Sequence, residues 1–160
     1  MNDIILYIPG EPATITAQQK GSAIRGNRII HYVKNAVARE DRRIRRFAKL
    51  QAPAVPIEGC VAVHITMVFP LTQAQAKKYV HRLSDPTFVI RKPTKPDWDN
   101  SPKLICDALT KEKFWADDSQ ITDGTCCKRY GSEPRIEIVI ISVPQEIEDL
   151  LIRNANGHVA

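Results

Sequence analysis

The sequence predicts an α+β fold: a single small domain, residues 1–160, with a mixed, mainly antiparallel sheet and two or three helices. Three observations carry this expectation. Short apolar runs bounded by turn residues recur from Ile4 to Ile8, from Val61 to Phe69 and from Arg135 to Val143, as strands do. Between them, the stretches from Lys34 to about Gln51 and from Ser101 to Leu109 change to helical spacing. Neither a repeat nor a low-complexity tract divides the chain, and 160 residues suffice for one domain with a real core.

Each element has its own warrant. Ile4 to Ile8 ends at Pro9 and Gly10 and reads as a strand, with a polar loop following through Lys20. Gly26 and Asn27 suit a tight turn between Ile24 and the run Ile29, Ile30, Tyr32, Val33, so a hairpin is expected there. Val37, Ile44 and Ala48 form one stripe of the next helix, with Phe47 at its edge, and Pro53 and Pro56 follow its end. Val61, Val63, Ile65, Met67 and Phe69 then alternate with Ala62, His64, Thr66 and Val68, marking a central strand; His64, among apolar neighbours, reads as a hydrogen-bonded core histidine. Gln73 to Leu83 suits a short helix closed by Ser84, Asp85 and Pro86. Thr125 to Tyr130 and Arg135 to Val143 close the fold as strands, and Gln145 to Arg153 reads as a brief acidic amphipathic helix.

No apolar run is long enough to span a bilayer and the N-terminus lacks a signal-peptide pattern, so a cytoplasmic protein is expected. Cys60, Cys106, Cys126 and Cys127 show no C-x-x-C spacing; they read as reduced, packed thiols, not a zinc site. The formal charge of +5 is unevenly placed. Ten basic residues lie between Gln18 and Lys49, among them Lys20, Arg25, Arg28, Arg42, Arg45 and Arg46, against only Glu40 and Asp41. A second group, including Lys92 and Lys95, precedes a run of aspartates. Such segments suit a polyanion: lysine and arginine neutralise phosphates without reading sequence, so DNA is the expected partner. A helix whose charges merely keep it soluble is the plainer reading of either segment alone.

The chemistry is concentrated between Lys95 and Ile121. Asp97 and Asp99 lie two apart behind Pro93 and Pro96; an extended segment would project both carboxylates from one side, where they repel unless a cation stands between them. Asn100 or Ser101 can cap the following helix, Pro102 suits its first turn, and Leu104, Ile105, Ala108 and Leu109 give it an apolar face. Lys103 and Asp107 share another face. Phe114 and Trp115 read as buried, and the pair Asp117 and Asp118 follows. A calcium loop is excluded by Pro102 and Ala108 at its glycine and glutamate positions, and a glycosidase pair does not expect basic flanks. Magnesium-dependent phosphodiester hydrolysis, in which carboxylates hold one or two cations that activate water, uses every feature. Singly, each part has a structural reading: a helix cap, a surface pair, a turn.

Together these residues resemble the signature of the RusA family of Holliday junction resolvases. The match runs through Lys95-Pro96-Asp97-Trp98-Asp99-Asn100, Lys103, Asp107-Ala108-Leu109 and Asp117-Asp118-Ser119-Gln120-Ile121. Two departures stand out: Ser101-Pro102 replaces a more usual apolar and polar pair, and Lys113 stands where glycine is common. The resemblance implies a RusA-like fold in a bacterial or phage-encoded homodimer that binds four-way DNA junctions and nicks two strands symmetrically with Mg²⁺, for which Mn²⁺ substitutes. It implies essential carboxylates at Asp97, Asp99 and Asp118, which hold the metal, and an essential lysine at Lys103, with Asn100, Asp107 and Asp117 in support. Cleavage of flaps or forks, and junction binding without cleavage, are the alternatives.

Overall fold

The structure, a computed structural model, describes residues 3–14, 20–26, 28–33 and 35–144. The expected helix from Gln145 to Arg153 lies outside these residues. Along the chain come β1 (Ile4–Pro9), β2 (Lys20–Arg25), β3 (Arg28–Val33), α1 (Asn35–Lys49), β4 (Cys60–Pro70) and α2 (Gln73–Lys78). After these come β5 (Val89–Arg91), α3 (Ser101–Lys111), β6 (Ile121–Gly131) and β7 (Arg135–Val143). Short 3₁₀ turns at Val80–Arg82 and Asp118–Gln120 complete the set.

Five strands form one sheet in the order β1-β7-β4-β6-β5; only β4 and β6 run parallel. The sheet is therefore mixed and mainly antiparallel, and with three α-helices the fold is α+β, as the sequence predicts. β2 and β3 make a separate hairpin, with Gly26 at φ +58° supplying the left-handed turn conformation.

One face of the sheet carries the core. Val61, Val63, Ile65, Met67 and Phe69 of β4 cluster with Leu6 and Ile8, with Ile136, Ile138 and Ile140, and with the buried stripes of α1 and α3. Burying both β4 and its flanking strands on this face explains why period-two alternation is so clear there. α1 and α3 pack against each other and are braced by ion pairs, Arg45 Nε to Glu112 Oε1 at 2.6 Å and Lys111 Nζ to Asp41 Oδ1 at 2.7 Å. Arg43 ties α1 to β1, donating to Glu40 and to the Pro9 carbonyl.

The end of α3 matters most for the site. Lys113 N donates to Thr110 O and Phe114 N to Leu109 O, the paired bonds of a Schellman cap, with Phe114 and Leu109 both in the core. That cap requires a left-handed residue, and Lys113 fills it at φ 65°. A glycine, which the resemblance leads one to expect here, would adopt this conformation without a Cβ clash.

The structure corrects several expectations. His64 is exposed, not in the core: alternation sets it on the face of β4 away from the helices, where its Nδ1 bonds Thr125 Oγ1 at 2.8 Å. β6 begins at Ile121, four residues before the expected strand, because its first half pairs in parallel with β4. β5 was not expected; three residues carry no periodicity of their own and are held by pairing to β6. The Asp97–Asp99 segment is not extended. Trp98 to Asn100 form a turn, closed where Ser101 N and Oγ both donate to the Asp97 carbonyl. Ser101 thus bonds backward, and Asn100, at the N-cap position, makes no side-chain cap bond.

Candidate active site

The loop between β5 and α3 is pinned to β6 along its length. Lys92 N donates to Lys128 O, Lys128 Nζ reaches the carbonyls of Thr94 at 2.9 Å and Pro96 at 2.5 Å, and Trp98 Nε1 donates to Cys126 O at 2.7 Å. These bonds fix where Asp99 stands. One turn into α3, Lys103 projects from the helix whose Leu104, Ile105, Ala108 and Leu109 are buried.

Asp118 arrives from the other side of α3, and its turn is the most heavily bonded part of the site. Gln120 accepts from Ala116 N and Asp117 N through Oε1, and donates to the carbonyls of Ile57 and Gly59 through Nε2. Asp117 caps the turn, accepting from Ser119 N at 2.9 Å. Hydrogen bonds from Ser119, through its hydroxyl first and its backbone second, hold the Asp117 carboxyl below its ordinary value. Buried Phe114 and Trp115 anchor the spacer, with Trp115 Nε1 donating to Thr110 Oγ1 at 2.7 Å. Asp117 is thus a structural cap, and Asp118 is the residue presented.

Asp99, Lys103 and Asp118 line one cavity of about 400 Å³. Its walls are largely apolar, formed by Val63, Ile65, Ile121, Trp98, Cys106 and Cys126. Burial, followed by the nearby Asp107 and Asp118 charges, pushes the Cys106 thiol up to about 12, and burial pushes Cys126 up to about 11. Both remain neutral thiols at physiological pH, as their reading as packed thiols predicts. Asp118 has no hydrogen-bond or ion-pair partner among the described residues, while Asp99 accepts only from Asn100 Nδ2, at 3.2 Å. Lys103 Nζ lies 3.7 Å from Asp107 Oδ1, a loose i,i+4 pair. Two carboxylates and a lysine facing one apolar-walled space can hold a hard cation and polarise a phosphate.

Asp97 does not line this cavity; it stands two residues before Asp99 with its carbonyl engaged by Ser101. Among the described residues no three His, Cys, Asp or Glu side chains stand together as a ready-made metal cage. An all-oxygen pair still fits Mg²⁺, which keeps several waters and takes one or two carboxylates plus substrate phosphate oxygens.

The cationic residues fall into two groups. Arg28, Arg42, Arg46 and Lys95 are exposed. Arg45 is held by Glu112, with Asp41 at 3.9 Å, and Lys92 lies over the Phe69 and Tyr130 rings and donates to Tyr130 Oη and Thr94 Oγ1. The side chains of Lys20 and Arg25 lie outside the described set. Trp98 and Gln120 stand inside the matched motif with no role visible in sequence, and Lys128 lies outside it; their bonds appear only in the folded chain.

The cavity thus sets two carboxylates and a lysine among apolar walls on an α+β scaffold with basic flanks. Residues 9–141 match the family Endodeoxyribonuclease RusA. The chain belongs to the RusA endodeoxyribonuclease family. It is also similar to the uncharacterized protein YqaN of Bacillus subtilis (strain 168), 31% identical over 96 residues, 60% of this chain and 67% of that protein. No helix among the described residues is long and apolar enough to cross a membrane.

Proposed function

We propose that this protein resolves four-way DNA junctions as a homodimer, nicking two strands of like polarity in a reaction that depends on Mg²⁺ or Mn²⁺. The observation that carries this reading is the convergence of Asp99, Lys103 and Asp118 on one cavity in a chain of this nuclease family. A two-fold enzyme suits the substrate, because a junction presents two equivalent strands and a dimer offers one acidic site to each.

Asp99 and Asp118 would hold the divalent ion, which when bound supplies positive charge to the phosphate and to the attacking water, while Asp97, the third carboxylate that the resemblance implies, would reach it only from outside the cavity. Lys103 meets the phosphate from the helix side and stabilises the negative charge that builds on its oxygens. Asp117 and Gln120 keep Asp118 in position, and the Trp98 and Lys128 anchors do the same for Asp99. Exposed Arg28, Arg42, Arg46 and Lys95 draw the DNA backbone to the surface.

A cleavage assay on a synthetic four-way junction, beside a linear duplex and a flap, tests this reading. The expected result is paired nicks in the junction with Mg²⁺ or Mn²⁺ and none with EDTA. Junction binding without cleavage in either metal would favour a binding protein. Preferential cutting of the flap would move the substrate to other branched DNA.

A further inference from the structure

Beside the acidic cavity lies a second hollow, of about 320 Å³, bounded by Trp98, Pro93, Cys127, Arg91 and Arg129. Trp98 belongs to both and stands between them. Trp98 is 57% exposed, yet the bond from Nε1 to Cys126 O fixes the ring. A large aromatic left in solvent but locked in orientation is a stacking surface whose ordering cost is already met by the fold.

The second observation is electrostatic. Arg91 and Arg129 are direct cross-strand partners in the β5–β6 ladder, so two like charges share one face of the sheet. Such a pair is destabilising unless an anion relieves it. Among the described residues neither forms an ion pair with a carboxylate, and Arg129 donates only to the Lys128 carbonyl. The neighbouring lysines are spent inward: Lys128 on the loop carbonyls and Lys92 on Tyr130 and Thr94. The two arginines are therefore the cations left to meet a ligand, and guanidinium groups match phosphate geometry.

We propose that this hollow is a nucleotide subsite, in which an unpaired base next to the cleaved phosphate stacks on Trp98 and the Arg91–Arg129 pair binds the adjoining phosphate. The inference rests on the nuclease reading and adds a way of choosing substrate. Extruding a base costs least where the duplex is already interrupted, so the subsite favours branched over linear DNA.

The chain has two tryptophans, and Trp115 is fully buried, so a change in tryptophan emission on adding DNA reports Trp98. A four-way junction titrated in EDTA should quench that emission. Trp98→Leu should weaken junction binding, read by anisotropy, about tenfold, the scale of one lost base stack, and Trp98→Phe should restore most of it. Arg91→Ala with Arg129→Ala keeps the indole and should diminish both quenching and affinity, which decides the matter even if Trp98→Leu folds poorly. Junction binding with no quenching, together with unchanged affinity in the arginine variant, would overturn the subsite. Quenching in a protein that never cuts would overturn the nuclease reading and leave the subsite standing, so the two failures are distinct.

Discussion

At the scale of residues, neighbouring charges in the acidic stretch do different work. Lys103 lines the cavity with Asp99 and Asp118, whereas Asp107 meets it only at 3.7 Å on the helix surface. Lys103→Met should therefore lower single-turnover junction cleavage about a hundredfold or more, as loss of one transition-state donor does, with little change in junction affinity. Asp107→Asn should cost less than about 0.5 kcal/mol of stability, the scale of an exposed i,i+4 pair, and leave cleavage near that of the parent. Equal losses in both variants would mean that the pair, not the lysine alone, is needed. Asp117 differs again. Its carboxyl is held low by Ser119, so its cap is complete above the ordinary carboxylate range and is lost only as pH falls through the lowered value. Near neutral pH the turn that presents Asp118 is intact.

At the scale of elements, the Schellman cap after α3 joins the helix carrying Lys103 to the spacer carrying Asp118. Lys113 sits there at φ 65°, a conformation that costs a residue with a Cβ about 1–2 kcal/mol. Lys113→Gly should raise stability by roughly 0.5–1 kcal/mol in denaturant melts, the gain being reduced by the greater freedom of glycine in the unfolded chain. A destabilised variant would show that the lysine side chain contributes more than its backbone costs. The same elements show what was legible in the sequence. β4, β7, α1 and α3 follow from periodicity, because each buries one regular face in the common core. β5 could not be read, since its three residues are strand only through pairing with β6. The motif resemblance singled out Asp97, Asp99, Lys103 and Asp118, of which the last three line the cavity and Asp97 does not, and it was silent on the anchors behind them. Trp98 bonds a carbonyl 28 residues away and Lys128 carbonyls more than 30 away, partnerships that only the folded sheet creates.

At the scale of the molecule, the division between cations that build the fold and cations left for DNA separates residues that look alike in sequence. Arg43 and Arg45 brace α1 against β1 and α3, while Arg42 and Arg46 on the same helix remain exposed. In the proposed reading, phosphate drawn to such a surface meets two carboxylates in the cavity, which would repel it unless a cation stood between. A protein that only bound junctions would gain nothing from carboxylates placed there. Binding and cutting should therefore be separable at Asp99, and the direct measurement compares the parent and Asp99→Asn on one labelled four-way junction with Mg²⁺. Asp99→Asn should bind the junction at least as tightly as the parent and leave it uncut. Cleavage that survives the substitution would contradict this.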